Sequence, residues 1–142
     1  MLTLIMSLEK ALKNLILINI ATFIFAVVGH FNESEEIKTV NENFSLNFDG
    51  SLSNGMAVVI SIMGIIYVMC TLFSWYLVYK IKPFGKKLYV VAFVIGLLFT
   101  LTPGGSAFGP ITMLFYELHL ASLGAILVFL FFTPIKNKFD KR

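Results

Sequence analysis

A short lysine-rich segment, residues 80–87, constrains the fold more than any other part of the sequence. It reads Lys-Ile-Lys-Pro-Phe-Gly-Lys-Lys and has a long apolar run on either side. A lysine at the centre of a membrane helix costs a few kcal/mol, so this segment must lie in water or among lipid headgroups, between two spans. Short basic loops stay on the cytoplasmic side of a membrane. We therefore predict that this side holds the topology-setting residues Lys80, Lys82, Lys86 and Lys87.

The composition excludes an ordinary soluble domain. The chain is 58% hydrophobic and only 13% charged, whereas soluble domains are about half apolar and about a quarter charged. The net charge of +3 does not indicate nucleic-acid binding, because the lysines fall in segments that the topology gathers at one membrane face. Anionic lipid is the expected partner of that face. The single cysteine, Cys70, allows no intrachain disulfide and no cysteine-based redox site.

Four apolar segments are long enough, or nearly long enough, to cross a bilayer. They are residues 12–31, 55–79, 83–102 and 111–133. The second contains no charged residue. The third reaches spanning length only if Lys86 and Lys87 extend back to the headgroups. The sequence thus predicts an all-α integral membrane protein in which residues 1–142 form a single domain, a bundle of four transmembrane helices.

The distribution of basic residues predicts the orientation of this bundle. Ten of the eleven lysine and arginine residues fall on one side of the four spans, and only Lys38 falls on the other. Both termini are therefore expected in the cytoplasm. The first span also resembles a signal peptide, but it lacks a good small-residue cleavage site, so we expect it to be retained. We expect a multi-pass protein of a bacterial cytoplasmic (inner) membrane.

The polar segment 30–54 is predicted to form an acidic loop outside the cell. Within it, Phe44, Leu46 and Phe48 alternate with polar residues, and residues 37–40 form a second short apolar stretch. Alternation of this kind is typical of strands. The sequence therefore predicts a small β-hairpin in the outer loop.

Glu117 is the acidic residue inside the predicted spans. Ala121 and Gly124 share its helical face, which is the kind of surface that meets another helix in a membrane. By helix rise it lies roughly 9 Å below the outer edge of the membrane, at the depth of Ser61 and Thr22. These residues, with His119, are the candidate polar or ion site. One interpretation is a titrating or cation-binding carboxyl group; the other is a protonated acid that hydrogen-bonds between helices.

The two histidines do not indicate a metal or haem site. His119 points about 200° around the helix from Glu117, and Tyr116 and Ser122 flank it at helical spacing, which predicts a satisfied polar cluster. His30 lies at a different depth, at the outer end of the first span, so a paired ligation is disfavoured. Asn19 is predicted to hydrogen-bond between helices, at a depth that does not match Glu117. No metal and no cofactor is predicted.

These features favour a small membrane protein without catalytic activity, acting as a subunit of a membrane complex or as a homo-oligomer. The alternative is a proton- or cation-coupled channel or transporter that uses Glu117. The two hypotheses differ in whether the Glu117 carboxyl group must titrate. An enzyme is disfavoured, because only the isolated histidines and Ser106, in the turn before the last span, offer reactive side chains.

Overall fold

The computed structural model describes residues 2–49, 54–100 and 107–140, and over these residues every regular element is a helix. The helices are α1 (Leu2–Phe31), α2 (Glu35–Asp49), α3 (Asn54–Tyr79), α4 (Pro83–Thr100), α5 (Pro110–Phe132) and α6 (Lys136–Asp140). Three of them are long and apolar enough, over the described residues, to cross a membrane: Thr3–Phe31, Ile62–Tyr79 and Pro110–Phe132. Helices suit such an environment because they satisfy their backbone groups internally.

The bounds of the long helices agree with the predicted segments except at the start of the chain. There, α1 begins at Leu2 rather than near residue 12, so the apolar N-terminal stretch continues the first helix. Helix α4 ends at Thr100, and the last two residues of the segment predicted to end at 102 lie outside the described residues. The turn containing Ser106 also lies outside them.

The lysine-rich segment reverses the chain between α3 and α4. Lys82 donates its amide N–H to the carbonyl of Leu77 and Ile81 donates to Val78, both at 2.9 Å, which is the Schellman pattern of a helix end. Ile81 takes the left-handed conformation, with φ of 52°, which is unfavourable for a β-branched residue. Its side chain packs against the hydrophobic core, which offsets that strain. Pro83 then begins α4 at a position that suits proline.

The long helices form two pairs, in which α1 packs against α5 and α3 packs against α4. The pairs meet in a hydrophobic core close to the lysine-rich segment. Its members are Leu12, Ile16, Trp75, Val78, Tyr89, Ile126, Leu130, Ile135 and Phe139. Tyr89 also donates its hydroxyl hydrogen to the carbonyl of Leu123, at 3.3 Å. Because α1 packs against α5, the first and last long helices are neighbours. The shared core joins the two helix pairs at the lysine-rich end, and the bundle is closed there.

The short helix α6 returns the C-terminal segment to this end of the bundle. Phe139 is buried in the core, Lys138 forms an ion pair with Glu9 of α1, and Asp140 pairs with Lys86 of α4 at 3.2 Å. The sequence pattern predicts a basic tail here and no helix. The tertiary contacts of Phe139 are what favour the helix.

The predicted β-hairpin is wrong, because residues 35–49 form α2. Ser34 precedes the helix and accepts a long hydrogen bond, 3.5 Å, from the Ile37 amide, as an N-cap residue does. Glu35 lies in the first turn, where a negative charge is favourable, and pairs with Lys38 at 2.9 Å. The apolar residues from position 37 onward recur at helical as well as strand spacing, so the alternation was ambiguous.

The close approach of α3 and α4 predicts the effect of substituting Gly85. A Cβ atom there would lie 2.8 Å from the backbone of Leu77 and Val78, whereas one at Gly64 of α3 would meet nothing within 4 Å. We expect Gly85→Ala to lower the free energy of unfolding by about 1–3 kcal/mol. Gly64→Ala should leave it unchanged or raise it by up to about 1 kcal/mol. Thermal unfolding in detergent measures both, and equal midpoints would contradict the close packing.

Candidate functional site

A buried polar junction joins α1 to α5. Asn19 is 0% exposed, and its Nδ2 donates to the carbonyl of His119 at 3.0 Å and to the Ser122 hydroxyl at 2.7 Å. Ser122 in turn donates to the His119 carbonyl, at 2.8 Å. The predicted interhelical role of Asn19 is confirmed, and so is the placement of His119 in a polar cluster with Ser122.

The imidazole Nδ1 of His119 lies between two polar groups of Asn19. It is 3.0 Å from Nδ2 of the Asn19 side chain and 3.2 Å from the Asn19 backbone carbonyl oxygen. Nδ1 can accept from the first of these groups in one neutral tautomer and donate to the second in the other. The imidazole is therefore held by Asn19 in either tautomer.

A crevice of about 700 Å³ separates the two helix pairs beyond the core. Its floor is formed by Phe23, Trp75, Tyr89 and His119, which lie next to the core. It extends to Phe31 and Phe108, where α1 ends and α5 is about to begin. Aromatic side chains predominate along it, and none of the described residues that line it is Asp, Glu, Lys or Arg. The two helix pairs thus pack together at the lysine-rich end, and the crevice separates them toward the opposite end.

The floor of the crevice is an aromatic cluster that contains an unpaired donor. The Trp75 ring lies 5.7 Å from the Phe23 ring and 6.2 Å from the His119 ring, centroid to centroid, and is nearly perpendicular to the latter, at 84°. Trp75 is only 3% exposed. Its Nε1–H has no hydrogen-bond partner among the described residues. Among the described residues, the buried atoms Asn19 Oδ1 and Thr71 Oγ1 also lack a partner, so Trp75 Nε1 is one of three exceptions to the usual pairing of buried polar groups.

Glu33 caps the N-terminus of α5 from a distant part of the chain. Its Oε1 accepts a hydrogen bond from the Gly109 amide at 3.0 Å, and the side chain is only 8% exposed. Gly109, the N-cap residue of α5, provides no side-chain cap itself. Hydrogen bonds from the Thr112 side chain and then from the Gly109 amide lower the pKa of Glu33. The carboxylate is also suited to the positive end of the helix dipole.

Asn41 holds α2 to the same part of the chain. Its Nδ2 donates to the carbonyl of Ala107 at 3.0 Å, and its Oδ1 accepts from the Ala107 amide at 2.6 Å. The two bonds satisfy both backbone groups of a residue that lies outside regular structure. Glu33 and Asn41 together connect α2 and the residues just before it to the start of α5.

The structure describes the side chains of three of the four residues of the predicted polar or ion site. Glu117 is exposed on α5, whereas His119 is buried in the junction with α1. Thr22 donates to backbone carbonyls of its own helix, those of Ile18 and Asn19, at 3.0 Å each. The side chain of Ser61 lies outside the described part of the structure. The grouping of Glu117 with Thr22 and Ser61 stays a prediction.

Sequence reasoning missed Glu33, Asn41 and the role of Trp75. A glycine followed by a proline at 109–110 does indicate a helix start, but no local signal shows which distant carboxylate caps it. Among the described residues, no group of three or more His, Cys, Asp or Glu is suited to a metal ion.

Comparisons of the chain with protein-family models, with curated proteins and with solved structures find no match.

Removing the Asn19 amide should loosen α1 from α5. We expect Asn19→Ala to lower the free energy of unfolding by about 1–2 kcal/mol, because interhelical hydrogen bonds in membranes contribute on this scale. Asn14→Ala, at an exposed position of the same helix, is the matched control and should change it by less than about 0.5 kcal/mol. Denaturation in mixed micelles gives both values. An equal loss in the two variants would show that the junction does not stabilise the pair.

The Glu33 cap should make stability depend on pH. Because the pKa of Glu33 is lowered in the folded protein from its ordinary value of 4.5, its contribution is complete above that value and is lost as the pH falls through the lowered pKa. Glu33→Gln should therefore lower the unfolding midpoint at neutral pH, and the difference from wild type should vanish in acid. Glu36→Gln, at an exposed position of α2, should not show this pattern. A constant difference across the pH range would contradict the charged cap.

Proposed function

We propose that this chain is a small multi-pass membrane protein whose four long helices all cross the bilayer, with both termini in the cytoplasm. We propose further that it acts without catalysing a reaction, as a homo-oligomer or as a subunit of a membrane complex. The observation that carries the second proposal is the exposed carboxyl group of Glu117, which lies about two turns inside the apolar helix α5.

The outward face of α5 has the composition of a helix-packing surface. The buried residues of α5, among them His119 and Ile126, lie on the face toward the rest of the protomer. Glu117 lies on the opposite face, together with Ala121, which is exposed, and Gly124, where an added Cβ would meet nothing within 4 Å. Small residues allow a second helix to approach closely. A carboxyl group on such a face is costly in lipid and is stabilised by a hydrogen-bonding neighbour.

The charge distribution supports the proposed topology. At the closed end of the bundle, Lys13 pairs with Glu9 at 2.8 Å, next to the lysine-rich segment and to Lys138 of α6. The acidic α2 lies at the opposite ends of α1 and α5, through its links to residues 107–109. This separation is the one that the positive-inside rule associates with a cytoplasmic lysine-rich end.

The side chain of Lys86 supports α4 as a membrane span in addition to the spans in α1, α3 and α5. Its ammonium group is 4.8 Å from the centre of the Phe131 ring and 3.2 Å from the Asp140 carboxylate. Both partners belong to the C-terminal part of the chain, at the lysine-rich end. A lysine near a helix end can cover apolar surface with its stem and keep its charge at the headgroups. The position of Lys86 therefore supports including the first turns of α4, from Pro83 onward, in the membrane span.

The alternative, coupled transport through Glu117, has no comparable support. Glu117 is not among the residues that line the crevice. The crevice residues include no acidic side chain in the described part of the chain. Association through the outward face of α5 explains the position of the carboxyl group without a transport path.

Native mass spectrometry of protein gently extracted from its own membrane tests this proposal. We expect a homo-oligomer or a complex with a larger partner, and we expect Ala121→Phe to weaken association by about tenfold or more, because the bulky ring separates the two helices. Ala21→Phe introduces the same change at an exposed position of α1 and should have no effect. A wild-type protein that is monomeric at membrane concentrations would refute the proposal, as would equal effects of the two substitutions.

A further inference from the structure

We propose that a basic pocket at the lysine-rich end of the bundle binds the phosphate headgroup of an anionic phospholipid, whose acyl chains lie along α1 and α3. The basic pocket is lined by residues of α1, of the end of α3 with the turn after it, and of α6: Glu9, Lys13, Tyr79, Lys80, Ile81 and Lys138. It lies within one protomer, so it does not need association through α5. The proposal rests on the proposed position of the lysine-rich end among the lipid headgroups.

The charge of the basic pocket selects an anionic ligand. Three ammonium groups line it, those of Lys13, Lys80 and Lys138, against the single carboxylate of Glu9, which leaves two positive charges unbalanced. A headgroup with a net negative charge compensates them, whereas a zwitterionic headgroup brings an ammonium group of its own. The volume of the pocket, about 440 Å³, lies in the range of about 300–1,000 Å³ that is usual for small-molecule sites.

Glu9 holds two of these lysines in place. Its carboxylate is 2.8 Å from the ammonium group of Lys13 on the same helix, and it also pairs with Lys138 of α6. The Lys13 ammonium group lies 5.6 Å from the centre of the Tyr79 ring, within the range of cation–π contacts. Charges from α1 and α6 are therefore arranged before a ligand binds, which reduces the entropic cost of binding.

Lys80 is the lysine of the basic pocket that has no acidic partner. Its side chain is exposed and forms no ion pair with any of the described residues. The backbone on either side is fixed, because the amides of Lys80, Ile81 and Lys82 donate to carbonyls in the last turn of α3. These bonds also occupy carbonyl groups that would repel an anion at the end of the helix. The Lys80 ammonium group is thus available to a phosphate oxygen.

The surface beyond the basic pocket favours a lipid over a soluble phosphate. Leu17, one turn from Lys13 toward the middle of the span, is 53% exposed. Tyr76 and Leu72, one and two turns from Tyr79 toward the middle of α3, are 56% and 48% exposed. Residues at these spacings share a face of their helix. The faces that line the pocket therefore continue as exposed apolar surface, against which acyl chains can pack.

Native mass spectrometry of the full-length protein in detergent micelles tests the proposal. The protein is titrated with an equimolar mixture of phosphatidylglycerol, which is anionic, and phosphatidylcholine, which is zwitterionic, with identical acyl chains. We expect saturable binding of phosphatidylglycerol, with an apparent Kd about fivefold or more below that of phosphatidylcholine. Glycerophosphoglycerol, the same headgroup without acyl chains, should not displace the lipid at equal concentration.

Two substitutions that remove the same charge locate the site. Lys80→Gln removes an ammonium group without breaking an ion pair. We expect it to raise the Kd for phosphatidylglycerol about fivefold, because a lysine near a lipid surface contributes on this scale. Lys87→Gln acts at an exposed position of α4 that does not line the basic pocket, and it should change the Kd by less than about twofold.

Three results would overturn the proposal. Equal affinities for the two lipids would mean that the pocket does not select headgroup charge. Equal effects of the two substitutions would mean that the lysines attract lipid only through their total charge. Displacement by glycerophosphoglycerol would mean that the ligand is a soluble phosphate. A protein that is monomeric or has the opposite orientation would still bind the lipid in micelles, so a failure of the proposed function is distinguishable from these results.

Discussion

The arrangement of the bundle depends on the amide group of Asn19. A fully buried amide on an apolar helix is unfavourable unless its hydrogens find acceptors, and α5 supplies them through His119 and Ser122. This pairs the first long helix with the last, so the α3–α4 hairpin forms a separate unit against them. The two units are held together by apolar packing at the lysine-rich end, where α6 adds Phe139 to the core.

The crevice is a consequence of this arrangement. Helix pairs that share a core at one end and have different internal contacts need not remain in contact along their whole length. His119 takes part in both features: its carbonyl and Nδ1 belong to the junction with Asn19, and its ring forms part of the crevice floor beside Trp75. A residue that joins α1 to α5 therefore also lines the crevice.

The far end of the bundle is organised by polar contacts to backbone groups. Glu33 accepts from the first amide of the α5 N-terminus, and Asn41 pairs with both backbone groups of Ala107. A helix start leaves unpaired N–H groups, and in an apolar protein these need partners from elsewhere in the chain. The segment that contains α2 is thus linked to the rest of the fold as a helix, in place of the hairpin that its alternating residues suggested.

The sequence by itself determined the features that depend on local composition. Hydropathy marked the long helices, the lysines marked the turn between α3 and α4, and a lone amide in an apolar run marked Asn19 as an interhelical residue. Only the tertiary structure decided that α1 pairs with α5, that Glu33 caps a helix that begins far along the chain, that residues 35–49 are helical, and that Glu117 faces outward. These depend on which distant surfaces meet, because apolar helices of similar composition have no local signal that selects their neighbours.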